Sequence, residues 1–422
     1  MISLNIFFIS FFFLFFVGII NDAFSQDTKS NIDSLKKDAI NIFVDCDWCD
    51  IDFFRKEITF VNHVRERKEA HVHILITSQS TASGGTAYSF FFIGQKNFTG
   101  VNDTLIHNYK ADATNDEIRQ GQIATLKMGL IRYVSKTPFA KYIDITMNNP
   151  PSTENVKDKW KSWVLTLNAS GYFNGQQMYQ SISSWSSFSA NKITEECKIQ
   201  FDIGSNYQES VYEIDDTTKI RSINRSKNFF CIFVKSISNH WSSGGFVDVE
   251  NSDYNNTDMK VSFTPAIEYD LFPYSESTRK QLRFLYGAGY SYSFYHDTTI
   301  FNKIEEGLWL HKLSIAFTIK QKWGSISSSL VGSNYFHDFS LNKLYFNPWI
   351  DIRIFKGMSI RLGGSLSLIH DKISLLKANA SKEEILLQQR QLATQYSFWG
   401  NFGISYTFGS IYNNVVNPRF GN

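Results

Sequence analysis

The chain has 422 residues, a formal net charge of +2, a mean hydropathy of −0.23 and 16% aromatic residues. A charge this close to zero makes no electrostatic case for nucleic acid, and the negative hydropathy excludes a bundle of membrane-spanning helices. Many Phe and Tyr in a chain that is not apolar overall fit strands with one apolar and one polar face.

In chain order, the first feature is the apolar run Ile6 to Ile20, followed by Ala23-Phe24-Ser25, a small-x-small cleavage pattern. Residues 1–25 read as a secretory signal, although Met1 to Asn5 carries no Lys or Arg. Residues 26–38 are polar and read as an unstructured N-terminus. No Cys lies near the cleavage site, which argues against a lipid anchor.

Residues 39–147 read as a compact α+β domain placed in the periplasm, in the order β-α-β-β-α-β. Ile40 to Val44 is a short strand. Asp50 or Asp52 caps a helix with Phe54, Ile58, Val61 and Arg65 on one face. His71 to Thr77 is a strand with Val72, Ile74 and Ile76 on one side, and His71 and His73 on a solvated other side. The Gly84-Gly85 loop leads into a strand at Thr86 to Ile93. Thr114 to Val134 is a helix with Asp116 and Glu117 in its first turn, and Tyr142 to Thr146 is the last strand.

Cysteines occur at 46, 49, 197 and 231. In an exported chain, Cys46 and Cys49 form either a small structural disulfide or a dispensable thiol pair. Asp45, Asp47 and Asp50 surround the pair and oppose thiolate formation, which argues against a redox centre. A zinc site wants about four ligands, and the chain has no second Cys-x-x-Cys. His71 and His73 share a strand face, with His63 near in sequence, and read as a solvated strand face rather than as a metal site.

Residues 148–159, with Pro150-Pro151, form a stiff linker. From Trp160 the period becomes two, over twelve strands near 162–173, 178–190, 196–207, 228–238, 242–251, 258–271, 281–294, 308–321, 324–334, 343–354, 358–369 and 396–408, of which 228–238 and 324–334 are ambiguous, so that ten or fourteen are the alternative counts. Met259, Val261, Phe263, Ile267, Tyr269 and Leu271 alternate with Lys260, Ser262, Thr264, Glu268 and Asp270. Tyr396, Phe398, Phe402, Ile404, Tyr406 and Phe408 form one face of the last strand. This is the pattern of an antiparallel transmembrane β-barrel over residues 160–409, with strand-edge aromatics such as Trp163, Tyr172 and Trp309 as interfacial girdles. Residues 410–422 form a periplasmic tail. The turns at Lys322-Trp323 and Phe355-Gly357 are tight, whereas 208–227, 295–307 and 370–395 are long and read as external loops. By parity, Leu362→Arg should impair assembly and Gly363→Ser should be mild.

The same parity makes Lys198, Asp202, Lys260, Glu268, Asp270, Arg283, Lys312, Lys320, Asp351, Arg353 and Arg361 lumen-facing. Their mixed signs imply interior ion pairs that narrow or close the lumen, rather than the single-sign ring of a selective pore. His311 lies on the apolar face beside Trp309, with Leu313 as its same-face neighbour, so no nucleophilic Ser meets it. In the 370–395 loop, Ser381-x-x-Glu384 reads as a capping box.

Several longer motifs carry a resemblance. They are Ser236-x-x-x-His240-Trp241-Ser242, the run Glu268-Tyr269-Asp270-Leu271-Phe272-Pro273-Tyr274-Ser275-Glu276-Ser277-Thr278 and the tail from Tyr406 to Phe420, with Asp45-Cys46-x-x-Cys49-Asp50 and His73-Ile74-Leu75-Ile76-Thr77 in the N-terminal domain. Over nearly the whole mature chain these resemble a family of Bacteroidetes-type outer-membrane β-barrel proteins to which no activity is assigned. By element order the N-terminal domain is also similar to periplasmic domains of the TolB amino-terminal and curli-secretion-channel type, a likeness of fold alone. The resemblance implies a Gram-negative outer-membrane location, with outer-membrane lipid, the barrel-assembly machinery and a periplasmic protein as partners. The reading that results is a non-enzymatic barrel serving transport or envelope assembly, without cofactor, metal or catalytic residue. The alternatives are a plugged barrel that recruits a periplasmic partner and, third, an outer-membrane lipid hydrolase. The Glu268–Thr278 motif either docks the N-terminal domain or the tail, or is a well-packed turn.

Overall fold

The structure is a computed structural model that describes residues 38–46, 48–81, 84–145, 158–213, 219–377 and 395–410, with Tyr412, Asn414 and Arg419. The signal segment, the Pro150-Pro151 linker and the Ser381–Glu384 capping box lie outside the described residues. The chain divides into two compact units. One comprises residues up to 78, 87–154 and from 407 onward; the other comprises 79–86 and 155–406.

The first unit is built on β1 (Asn41–Asp45), α1 (Ile51–Glu57), β2 (Asn62–His63), β3 (Val72–Ser80), β4 (Thr86–Gly94), β5 (Asn102–Tyr109) and α2 (Asn115–Val134). The sheet order is β2-β1-β3-β4-β5, with β1 parallel to both β2 and β3. Asp50 caps α1 by accepting the Phe53 N–H at 2.9 Å. Thr114 and Glu117 form a reciprocal capping box on α2. The core joins Phe54 and Ile58 to Val72, Ile74, Phe90 and Phe92 of the sheet and to Leu126, Leu130 and Tyr133 of α2. Close approach of α2 depends on Gly129, where a Cβ would sit 2.1 Å from the Phe92 ring.

Three expectations are corrected here. The element order among the described residues is β-α-β-β-β-β-α, not β-α-β-β-α-β. The last strand is β5, not Tyr142–Thr146: Pro138–Tyr142 is a 3-10 turn, and Tyr142 and Ile145 are exposed. Helix α1 ends at Glu57, so Arg65 lies beyond it and its Phe54-Ile58-Val61 face carries on into β2.

The tail closes the open edge of β2. Tyr412 makes an antiparallel bridge to Val64. The Asn414 Oδ1 accepts the His63 backbone N–H at 2.6 Å, and its Nδ2 donates to Asn62 Oδ1 at 3.1 Å. Arg65 donates to the carbonyls of Phe408 and Gly409. An uncovered sheet edge presents unpaired N–H and C=O groups, which proteins cover with a loop or further chain. Asn414→Ala is expected to speed amide exchange at His63 about tenfold, from a loss of about 1–2 kcal/mol; unchanged exchange would show that the tail does not hold this edge.

The second unit is a twelve-stranded antiparallel sheet in strict sequence order, from β6 (Trp163–Gln176) to β17 (Tyr396–Tyr406). The strands between are β7 (Tyr179–Ile193), β8 (Cys197–Glu213), β9 (Lys219–Ser236), β10 (Trp241–Ser252), β11 (Thr257–Asp270), β12 (Lys280–Tyr295), β13 (Glu305–Gln321), β14 (Gly324–Tyr335), β15 (Asp338–Phe355) and β16 (Met358–Ile369). Each matches one expected strand. The exceptions in length include β8, which runs on to Glu213, and β9, which starts at Lys219, so the expected 208–227 loop is strand at 208–213 and 219–227. Its polar residues are absorbed by pairing, with Arg221 bonded across to Glu209 at 2.7 Å. With 177–178, 253–256 and 336–337 also short, the loop asymmetry rests on 296–304 and 370–395.

One cavity is lined jointly by Glu250 of β10, Tyr295 of β12, Tyr335 of β14, Lys343 of β15 and Ile369 of β16. Strands six places apart in the order meet across it, so the sheet curls around its polar face. Burial falls away at the two ends: β17 is exposed throughout, and β6 from Leu165 onward. Among the described residues no helix is long and apolar enough to cross a membrane.

Candidate functional site

A strand presents alternate side chains to opposite faces, and the ladder registers carry that parity across the sheet. They place all eleven charged residues expected in the lumen, from Lys198 and Asp202 on β8 to Arg361 on β16, on one face. That face is the covered one: Ser262, Ser291 and Ser367 are 8%, 4% and 6% exposed. The opposite face is apolar and bare, with Phe263 58%, Trp309 61% and Leu362 39% exposed. This inverts the burial of a water-soluble sheet.

Ion pairing on the polar face is partial. Asp351 Oδ2 takes two bonds from Arg361, at 3.0 and 2.9 Å. Arg283 Nε lies 3.7 Å from Glu268, and Asp202 accepts from Gln200 at 2.7 Å. Lys260 and Lys312, by contrast, have no carboxylate within 4 Å among the described residues. Pairs therefore bridge only part of this face. Lys320 and Arg353 sit opposite Ser325 and Ser359 near the tight-turn end.

At that end, the two long motifs converge on one turn. The His240 Nδ1 lies 2.8 Å from the Asp270 carbonyl, and the Tyr274 N–H donates to the Asn239 carbonyl at 3.1 Å. The Tyr274 hydroxyl reaches Ser242 at 3.0 Å and Glu268 at 3.1 Å. The Asp270 side chain, 1% exposed, accepts the backbone N–H groups of Phe272 and Leu282. Burial pushes the Tyr274 hydroxyl above its usual range, with the Ser242 hydrogen bond opposing and the Glu268 charge adding to it. The motif is thus a hydrogen-bonded turn, tied through the Tyr274 hydroxyl to Ser242 and Glu268.

At the other end, residues 371–377 fold back over the loops before β11 and β13. The Ile300 N–H donates to the Leu375 carbonyl at 2.8 Å, the Lys377 N–H to Thr298 at 3.0 Å, and Asn256 Nδ2 to Ser374 at 3.0 Å. Thr299 and Leu376 form a further bridge. Beneath this strap lies a cavity of about 360 Å³, adjoining one of about 430 Å³. Parity reasoning applied to β15 alone had the signal to find Lys343, which shares a face with Asp351. Tyr274 and the strap residues carry no periodic signal.

His311 stacks on Phe336 at 4.7 Å and bonds the Tyr286 hydroxyl at 3.2 Å, so aromatic residues occupy the ring. The N-terminal histidines take separate partners: His63 the Ile58 carbonyl at 3.1 Å, His71 the Asn41 N–H at 2.9 Å, and His73 the Asp45 carboxylate at 3.0 Å. His73 is fully buried, not solvated, because β3 is an inner strand covered on both faces. Burial holds His63 down at about 4, offset by the Ile58 bond and reinforced by the Arg55 charge. Cys46 and Cys49 are joined by a disulfide, with Cα atoms 5.6 Å apart, at the entry to α1. No family model matches the chain, and no curated protein matches it.

Proposed function

We propose that the chain is a non-enzymatic outer-membrane protein whose twelve-stranded sheet closes as a β-barrel, with residues 39–147 on the periplasmic side, and that it passes small solutes through a restricted lumen. The observation that carries this reading is the inverted burial: along the sheet the apolar face is exposed and the polar face covered. In water such a surface is an aggregation liability; against lipid it is the stable arrangement. The edges of β6 and β17 support closure, because unpaired N–H and C=O groups cost several kcal/mol each in hydrocarbon. The family resemblance of the long motifs agrees with it, and the barrel-assembly machinery is the insertion route it implies.

A second reading has its own support. The Tyr274 turn and the 371–377 strap cover opposite ends of the polar face, which favours a plugged barrel that recruits a periplasmic partner. Planar-bilayer recording of the purified chain separates the two. Small discrete conductance steps are expected for solute passage, and a silent bilayer with inserted protein selects the plugged barrel. Failure to insert, with no heat-modifiable migration on gels, would sink both.

A further inference from the structure

The two adjoining cavities on the polar face share Glu250 and Lys260 and differ in character. The inner one, of about 430 Å³, is walled by Phe230, Phe246, Leu285 and Leu310. These are apolar residues on an otherwise polar face: Phe230 and Phe246 flank Asp248, and Leu285 and Leu310 lie on neighbouring strands. The one beneath the strap, of about 360 Å³, is bordered by Lys260, Lys343 and Lys372, against Glu250 and Asp371. Glu250 is held by Asn255 Nδ2 at 3.0 Å. Lys343 and Lys260 have no carboxylate within 4 Å among the described residues. Two ammonium groups at half-open cavities, with no carboxylate within 4 Å but with Asp371 and Asp248 acting on them through space, next to a greasy wall, are the pattern of a ligand site rather than of a packed plug. Both volumes lie in the range of small-molecule sites, about 300–1,000 Å³.

We propose that this chamber binds a small organic carboxylate with an aromatic or aliphatic body. The carboxylate sits between Lys260 and Lys343, where charge-assisted hydrogen bonds replace water. The body lies against Phe230, Phe246 and Leu310. The strap at 371–377 covers the charged end, so that the ligand is screened from solvent once seated. This rests on the reading of the polar face as an interior, which the bilayer experiment tests separately.

The test uses the full chain in lipid nanodiscs, with empty nanodiscs as the partition control, and equilibrium dialysis of 2-naphthoate and of neutral 2-naphthamide. Saturable binding of the carboxylate is expected, at least about tenfold tighter than that of the amide. Lys343→Gln should abolish that preference while leaving amide binding unchanged. Leu310→Asn should weaken both, with heat-modifiable migration confirming that each variant is folded. Inserted protein that binds no naphthoate saturably, or binds the amide equally well, overturns the proposal and leaves the barrel reading standing. A Lys343→Gln variant that keeps the full preference also overturns it.

Discussion

Leu362→Arg is expected to abolish stable assembly of the sheet in membranes. Leu362 lies on the bare apolar face, opposite Ile350 on one side and Phe402 on the other. A guanidinium at mid-membrane on a lipid-facing strand costs about 2–4 kcal/mol, a large part of the net stability of a folded domain. The variant should lose heat-modifiable migration, whereas Ser365→Ala on the opposite face should keep it. Gly363 is unsuited as that control, contrary to the parity expectation. A Cβ there would lie 2.4 Å from the Trp349 ring and 2.7 Å from Asn401 Oδ1, so Gly363→Ser should itself be disruptive. Equal migration of Leu362→Arg and the wild type would overturn the assignment of faces.

The first unit should lose about 3 kcal/mol of stability between pH 6.5 and 4, through His63 alone. The folded pKa, about 4, is depressed from 6.5. Between those values the unfolded chain takes up a proton that the folded domain refuses, so stability falls as pH falls and levels off below about 4. Burial is the main cause, and the nearby Arg55 charge acts in the same direction. His71, lowered by burial and by Lys96, adds to the same slope. His63→Gln, which keeps a donor for the Ile58 carbonyl but cannot titrate, should flatten the profile in denaturant melts taken across this range. An unchanged profile would mean that protonated His63 is accommodated in the fold. The consequence reaches the tail, because the His63 backbone N–H is the group that Asn414 holds.

How much of this was legible depended on whether a local period carried the information. Most of the twelve strands were, because an apolar face long enough shows period two: Met259 to Leu271 and Met358 to Leu368 alternate without help from neighbours, whereas 228–238 and 324–334 stayed ambiguous. The same parity located the charged residues of the polar face. β5 was not legible, since its inward residues are Asp103, Leu105, His107 and Tyr109 while Ile106 points outward, so the pattern is not that of a buried strand. Tyr142 to Ile145 misled for the opposite reason: apolar alternation is present, but the segment opens in a 3-10 turn and of its apolar residues only Ile143 packs on the core.

By itself, then, the sequence determined the division into an apolar and a polar face and a strand count between ten and fourteen, because these follow from side-chain alternation within single segments; the structure fixed the count at twelve. The tertiary structure alone decided which polar groups meet. Tyr274 reaches Ser242 and Glu268 from a turn, Asn414 finds His63 from 351 residues away, and the 371–377 strap settles on Asn256 and Ile300. It also decided that Lys343 and Lys260 have no carboxylate within 4 Å among the described residues while Arg361 has Asp351. Such outcomes depend on sheet curvature and on loops with no period of their own, and no local pattern encodes the distance between two side chains on strands four or more apart.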